Sequence, residues 1–320
     1  MIPMAQYYSS TEERFRCDMM VEMGIRCKMS ATMLVYLLVF LCTCKINGLS
    51  APSSTSWGNK KVLVVGGTGR VGGSVVTELV LEKGASVVVG GTREESFDKA
   101  VLRWREKYSS EKYNKLVSGV SFVKVDKETP STIDKVFKEH EQLHNDRFDL
   151  VVHTAGPFQG KVTATNGVLE AAVQNQIPYV DVCDDYCTAS AAKAKYAAQA
   201  KDNNVPCIIS TGCWPGVSSL MAKQLSTLIL SHHNDKEKET NNLKPSDLTV
   251  NFSFFTAGSG GAGATLLVAT FLILAEQALQ VINGRRTPTP PMRQYSTVNF
   301  GPVVGDKDVA HLNLLETASV

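Results

Sequence analysis

The sequence lacks the charge pattern of a nucleic-acid-binding protein. It has no run of lysines and arginines, because 33 basic and 31 acidic side chains are mixed along the 320 residues and leave a net charge of +2. A basic stripe or patch is the electrostatic requirement for binding nucleic acid. We therefore expect a small-molecule partner and no nucleic acid.

The sequence also lacks the closely paired cysteines of a structural zinc site. Its eight cysteines lie at positions 17, 27, 42, 44, 183, 187, 207 and 213, and none of them forms a C-x2-C pair. Zinc sites of the finger and ribbon types use such pairs. We predict no metal site, and we interpret the last four cysteines as reduced thiols near strand ends.

The apolar segment near the N-terminus is too short for a comfortable membrane span. Met33 to Cys44 carries no charge, but as a helix it would extend only about 18 Å across a hydrocarbon core of about 30 Å. Its length is that of a signal-peptide core, and the small residues Gly48 and Ser50 suit cleavage before Ala51. We therefore predict that residues 1–59 are a targeting segment and linker.

The stretch that follows the predicted cleavage site is rich in hydroxyl groups and has no acidic residue from Ala51 to Lys60. A signal peptide followed by such a stretch resembles the two-part plastid address of algae with complex plastids. We expect targeting by the secretory route, with the plastid as one destination. The alternative is an uncleaved signal anchor that associates the protein with a membrane.

A dinucleotide-binding fingerprint begins at Lys61. The β-branched run Lys61–Val65 predicts a strand that is buried on both faces, and a predicted helix begins at Ser74. Between them lies the pattern G-x-G-x-x-G, in which the glycines allow a tight turn, close approach to a diphosphate and close packing of helix on strand. The predicted diphosphate-binding residues are Gly66, Gly67, Thr68, Gly69, Arg70, Val71 and Gly72.

The end of the second predicted strand favours NADP(H) over NAD(H). An NAD-specific site places Asp or Glu here to bind the ribose 2′-hydroxyl, but the strand from Ala85 to Val89 is followed by Gly90, Gly91, Thr92 and Arg93. The planar guanidinium of Arg93 suits a 2′-phosphate, and Thr92 offers a second donor. The alternative is that Arg93 only begins a solvated helix.

The pattern of apolar runs predicts further βα units of a Rossmann-type, doubly wound parallel sheet. Strands are expected at 120–125, 148–153, 179–183 and 206–210. Ligands of such sheets bind at the carboxyl ends of the strands. We therefore predict an adenine contact at Asp126, a nicotinamide-ribose contact at Ala155, Gly156 and Pro157, and acidic groups near the nicotinamide at Asp184 and Asp185.

Residues 60–215 form the predicted nucleotide-binding domain, and residues 216–320 are predicted to be part of a second, mixed-sheet α/β domain for substrate binding or dimerisation. His232 to Lys244 is expected to be an exposed loop. Apolar and polar residues alternate from Leu248 to Phe254, which predicts a half-buried strand. A second glycine loop, Ala257 to Gly263, precedes an apolar helix from Ala264 to Ala275, which we expect to be buried.

The ordered motifs GGTGRVGG, VVHTAGPF, YVDVCDD, STGCWPGVSSLMA and FFTAGSGGAG together resemble the saccharopine dehydrogenase-like oxidoreductases, especially their plant and algal branch. The resemblance implies an N-terminal Rossmann domain that binds NADP and a second α/β domain that covers the active-site cleft. The family continues beyond the segment that matches Asn299 to Val320, so we expect a chain truncated within its second domain.

The resemblance implies hydride transfer between NADP(H) and a small metabolite. Asp184 and Asp185 are the candidate acid–base pair, because adjacent carboxylates can hold their pKa values apart; the alternative is a helix N-cap beside a solvated acid. A short-chain dehydrogenase mechanism is rejected, because the only Tyr-x-x-x-Lys spacing, Tyr108 to Lys112, precedes the third strand. An NADP-binding redox sensor or scaffold without turnover remains the alternative function.

Overall fold

The computed structural model describes residues 6–9, 57–144, 146–159, 166–236, 244, 248–255, 264–282, 285–293 and 295–319. It divides into two compact units. The first, which we call the sheet unit, is Met29–Cys213; the second unit comprises Met1–Lys28 and Trp214–Val320. The predicted targeting core, residues 33–44, and the glycine loop at 257–263 lie outside the described residues.

The described strands and helices are labelled separately in chain order. The strands are β1 (Gln6–Ser9), β2 (Lys61–Val65), β3 (Ser86–Gly91), β4 (Val120–Lys124), β5 (Leu150–His153), β6 (Tyr179–Asp181), β7 (Cys207–Ile208), β8 (Leu248–Asn251), β9 (Ala278–Ile282), β10 (Arg285–Thr289), β11 (Ser296–Asn299) and β12 (Asp306–Val309). The helices are α1 (Arg70–Leu81), α2 (Glu94–Lys107), α3 (Ser110–Ser118), α4 (Pro130–His144), α5 (Gly167–Gln174), α6 (Tyr186–Asp202), α7 (Val217–Lys236), α8 (Ala264–Ala275) and α9 (Glu316–Ser319).

The sheet unit contains a six-stranded parallel sheet in the order β4-β3-β2-β5-β6-β7. The strand order reverses between β2 and β5, which is the switch point of a doubly wound fold. This confirms the predicted fold class. In the central register Val64 of β2 lies opposite Val89 and Val152.

The sheet has a hydrophobic core on each face. Leu63 and Val65 of β2 pack into one core, while Val62 and Val64 pack into the other. All four side chains are fully buried, and each contributes about 1.5–3 kcal/mol relative to an exposed position. Two-sided burial is why β2 is a continuous apolar run, as predicted.

The second unit contains three two-stranded antiparallel sheets, β1–β8, β9–β10 and β11–β12. In β8 the half-buried Leu248 and Val250 alternate with the exposed Thr249 and Asn251, as predicted, although the strand ends at Asn251. Within the described part of the chain, no helix has the length and apolar character needed to cross a bilayer.

Two predictions for the second unit are wrong in part. The expected loop from His232 is helical as far as Lys236, because no glycine or proline interrupts α7 and polar residues can extend an exposed helix. Helix α8 lies where predicted, but Leu267 is 51% exposed and Phe271 70%. Its half-buried positions Ala269, Leu272 and Ile273 follow helical spacing, so the helix buries one side only.

Candidate functional site

The turn between β2 and α1 has a backbone conformation that only glycine adopts easily. Gly66 has φ +85°, and a Cβ there would lie 2.7 Å from the backbone nitrogen of Ala155. Its amide donates to the carbonyl of Gly90 at 2.8 Å, and its carbonyl accepts from Gly69 N at 2.9 Å. Gly66 therefore fixes the turn against the ends of both neighbouring strands.

Gly72 allows α1 to approach the turn closely. A Cβ on Gly72 would lie 2.5 Å from Thr154 Oγ1 and even closer to the carbonyl oxygen of Gly66. Thr154 itself is held by its hydroxyl, which donates to Val65 O at 3.0 Å. The helix therefore packs against the turn in the manner that the glycine pattern predicts.

Helix α1 has its N-terminus at the turn. It begins at Arg70 with Gly69 as its N-cap, no side chain caps it, and its first turn has no acidic residue. The first N–H groups of a helix lack acceptors within the helix, and together with the helix dipole they attract an anion. The predicted diphosphate-binding residues thus form one continuous turn and helix start.

Arg103 of α2 contacts this turn and was not predicted from the sequence. Its Nη2 donates to the carbonyl of Thr68 at 2.7 Å. Thr68 also lies close to the end of β3, because a Cβ on Gly91 would be 3.9 Å from its Cγ2. Arg103 therefore adds a cation beside the turn.

Thr92 and Arg93 lie between β3 and α2, and both are exposed. Arg93 is the N-cap residue of α2, with an extended backbone. Glu94 and Glu95 follow it in the first helical turn, where their charge stabilises the helix N-terminus. The described strand itself ends in Gly90 and Gly91 with no carboxylate, as the sequence indicates.

The carboxylate of Asp126, beyond β4, is engaged in its own turn. Its Oδ1 accepts from Glu128 N at 3.0 Å and its Oδ2 from the Thr129 hydroxyl at 3.3 Å. These bonds hold the start of the connection to α4. The adenine contact predicted for Asp126 stays a prediction.

The loop that follows β5 contains Ala155, Gly156 and Pro157, all half-buried, and its Gly156–Pro157 peptide is cis. Lys127 Nζ donates to Ala155 O at 2.9 Å and to Pro157 O at 2.8 Å. The Thr188 hydroxyl of α6 donates to Phe158 O at 3.2 Å. Lys127 and Thr188, neither of which was predicted, hold the loop from two sides.

The predicted acidic pair separates into two environments. Asp185 is buried and is the N-cap of α6, where its Oδ2 accepts from Thr188 N at 2.6 Å. Asp184 is half-buried. The N-cap alternative therefore describes Asp185, and the acid–base role of the pair stays a prediction.

A fully buried polar network lies at the ends of β5 and β6. Tyr179 donates to Asp181 Oδ2 at 2.8 Å, and His153 Nδ1 lies 3.0 Å from the Tyr179 hydroxyl. Asp181 Oδ1 accepts from the backbone nitrogens of Cys183 and Ser210. Burial raises the pKa of Asp181 and, together with the Asp181 charge, that of Tyr179. The network joins three strand ends inside the protein.

Cys183, Cys187, Cys207 and Cys213 are free thiols, and Cys187 is exposed. Burial raises the pKa of the Cys183 thiol far above its usual range and that of Cys207 to about 11. In the described residues no group of three or more metal-ligating side chains occurs. Tyr108 is the C-cap of α2 and Lys112 lies in α3, so this pair lies between β3 and β4 along the chain.

Comparison with known proteins gives one family match. Residues 62–208 match the model described as the saccharopine dehydrogenase NADP binding domain, which confirms for this segment the resemblance and the cofactor predicted from the motifs and indicates an oxidoreductase. The plant and algal branch stays a prediction. No curated protein matches the chain.

Three solved structures are similar to part of this chain. The apo form of LigD from Sphingobium sp. strain SYK-6 is 18% identical, with a TM-score of 0.34 over 47% of this chain and 76% of that one. A short chain dehydrogenase from Bacillus anthracis str. 'Ames Ancestor' is 20% identical, with a TM-score of 0.33 over 46% and 68%. Yeast methylglyoxal/isovaleraldehyde reductase Gre2, complexed with NADPH, is 18% identical, with a TM-score of 0.33 over 47% and 56%.

Proposed function

We propose that this protein is an oxidoreductase that transfers hydride between NADP(H) and a small metabolite, because residues 62–208 match the model of the saccharopine dehydrogenase NADP binding domain. The substrate bond is of the C=O, C=N or C=C class. The resemblance favours C=N, since saccharopine-type enzymes make or break a secondary amine through an imine.

The observation that carries the proposal is the glycine turn. Side chains at Gly66 and Gly72 would fill the space where the turn, α1 and the loop after β5 meet. The uncapped, acid-free start of α1 supplies backbone donors for a diphosphate. These features support binding of the diphosphate by Gly66 to Gly72, and Thr92 and Arg93 are our proposed contacts to the 2′-phosphate.

When bound, NADPH supplies a hydride from nicotinamide C4 to carbon, while the reduced bond gains a proton at its other atom. In this chain Asp184 is our candidate donor of that proton, because Asp185 uses its carboxylate to cap α6. The half-buried Ala155, Gly156 and Pro157 are proposed to bind the nicotinamide ribose through their backbone.

Cofactor titration tests the binding part of the proposal. Arg93→Ala should weaken NADPH about 10- to 100-fold, which is the value of one charge-assisted bond, and should leave NADH nearly unchanged. Arg105→Ala is the matched control, since it removes another exposed arginine of the same helix. Equal losses for NADPH and NADH would contradict the 2′-phosphate assignment.

A turnover assay tests the reaction. Purified protein is given NADPH with panels of imines, enones and aldehydes, and oxidation is followed by absorbance. Turnover of any panel supports the oxidoreductase. A tight NADPH complex that is inert to every panel would favour the redox sensor or scaffold instead.

Localisation and assembly are proposed from the sequence alone. Residues 1–59 fused to a fluorescent protein should enter the secretory route, and cleavage before Ala51 would distinguish a signal peptide from a membrane anchor. A homodimer is proposed as well, and light scattering of the purified protein measures its mass.

A further inference from the structure

Lys127 reaches from the loop after β4 to the loop after β5. Its ammonium donates to the carbonyls of Ala155 and Pro157 at 2.9 and 2.8 Å, on either side of Gly156. It also lies 5.8 Å from the centroid of the Phe158 ring and 3.5 Å from Glu128 Oε1. One side chain thus contacts three residues of the four-residue segment 155–158.

These contacts hold a charge that is largely removed from water. The Lys127 side chain is only 18% exposed. Withdrawing an ammonium from water is costly unless acceptors replace its hydration, and an ammonium has three donors in all. Two of its acceptors are backbone carbonyls of the loop, and they replace water around the ammonium. A shift of the loop would remove these acceptors, so the charge stabilises the position of the loop.

The backbone of Lys127 packs closely against the start of α5. A Cβ on Gly167, at the start of α5, would lie 2.8 Å from the Lys127 carbonyl oxygen, which leaves no room for the chain to shift towards that helix. On the other side of the loop, Ala155 lies against Gly66 of the glycine turn. Lys127 therefore packs against α5 through its backbone, and the loop that its ammonium holds contacts the diphosphate turn.

We propose that Lys127 is a positioning residue that fixes the loop 154–158 for the nicotinamide half of NADP(H). The inference rests on the proposed function, because it takes this loop as the nicotinamide-ribose contact. Lys127 does not touch the adenosine half in this scheme. We therefore expect the removal of its side chain to weaken binding of the nicotinamide half and to leave binding of the adenosine half unchanged.

The test compares NADPH with 2′,5′-ADP, which keeps the adenosine 2′-phosphate but lacks the nicotinamide. Lys127→Met should raise the Kd of NADPH by about tenfold or more and that of 2′,5′-ADP by less than about twofold. Lys127→Arg keeps the charge and should recover part of the NADPH affinity. Lys193→Met, at an exposed lysine of α6, is the control and should bind both ligands as the wild type does.

The outcomes separate this inference from the proposed function. Equal weakening of both ligands, or no weakening in Lys127→Met, would overturn the positioning role while leaving NADP binding intact. If Lys127→Met does not fold, Lys127→Arg is the test. Its guanidinium binds the two loop carbonyls in a different geometry, so the affinity for NADPH should still fall more than the affinity for 2′,5′-ADP. If the wild type binds neither ligand, both proposals fall together.

Discussion

Replacing Gly72 by alanine tests the packing of the glycine turn most directly. The new Cβ would lie 2.5 Å from Thr154 Oγ1 and closer still to Gly66 O. Carbon–oxygen contacts of this kind need roughly 1 Å more, and interiors are too densely packed to provide it freely. Either α1 must withdraw from the turn or both oxygens must move.

Neither oxygen can move cheaply. Gly66 O accepts from Gly69 N at 2.9 Å, and the Thr154 hydroxyl donates to Val65 O at 3.0 Å. Overpacking of this kind lowers the free energy of unfolding by about 1–3 kcal/mol. Alanine in place of glycine within a helix raises it by about 1 kcal/mol. The difference is about 0–2 kcal/mol, and the contact with Gly66 O, the shorter of the two, favours the upper end. We therefore expect Gly72→Ala to lower the free energy of unfolding by up to about 2 kcal/mol and to weaken NADPH binding.

Gly73→Ala is the matched control, one position further along the same helix. A Cβ there would meet Gly67 O at 3.4 Å and Trp104 Nε1 at 3.9 Å, which are ordinary contacts. This variant should gain helix propensity, remain at least as stable as the wild type and keep its NADPH affinity. The measurements are urea unfolding, followed by circular dichroism, and NADPH fluorescence titration. If Gly72→Ala is as stable and binds as tightly as Gly73→Ala, the packing argument is refuted.

Three further predictions concern the carboxyl end of β6. Asp185→Ala should lose about 1 kcal/mol in urea unfolding through the missing N-cap, whereas Asp184→Asn should keep stability and lower turnover; the reverse pattern would exchange their roles. Because burial raises the pKa of Asp181, the neutral acid is favoured in the fold. The stability of the wild type relative to Asp181→Asn should thus be greatest below about pH 4 and fall as pH rises through the raised pKa, and a pH-independent difference would contradict this. Maleimide should label the exposed Cys187 before the buried Cys183, as peptide mass spectrometry can measure, and faster labelling of Cys183 would contradict its burial.

The strands and the glycine turn could be predicted from the sequence because their determinants are local. A continuous β-branched run is itself the signal of a strand that is buried on both faces, and the glycines of the turn follow this strand directly in the sequence. Lys127 and Arg103 could not be predicted. Their acceptors are backbone carbonyls 28 to 35 residues away. Because every residue has a backbone carbonyl, the residue type at the acceptor position gives no sign of the contact.

The N-cap alternative for the acidic pair could be recognised from the sequence, and α6 does begin at Tyr186, directly after Asp185. The exposure of α8 could not. Helix α8 is apolar on all sides, which usually indicates complete burial. Only tertiary structure decides whether neighbours cover every side, and among the described residues Phe271 remains 70% exposed.

Three acidic groups at the strand ends act as hydrogen-bond acceptors within the fold. Asp126, Asp181 and Asp185 each accept from backbone amides, so replacing any of them disturbs the backbone, and a resulting loss of activity would not identify a proton donor. For Asp184 the informative result is a loss of turnover at unchanged stability. The residue that is proposed to set cofactor preference lies on the surface instead. Arg93 is exposed on a helix N-cap, so its replacement should alter selectivity for the 2′-phosphate while leaving the fold intact. Stability and binding measured on the same variants therefore separate the groups that build this site from those that act in it.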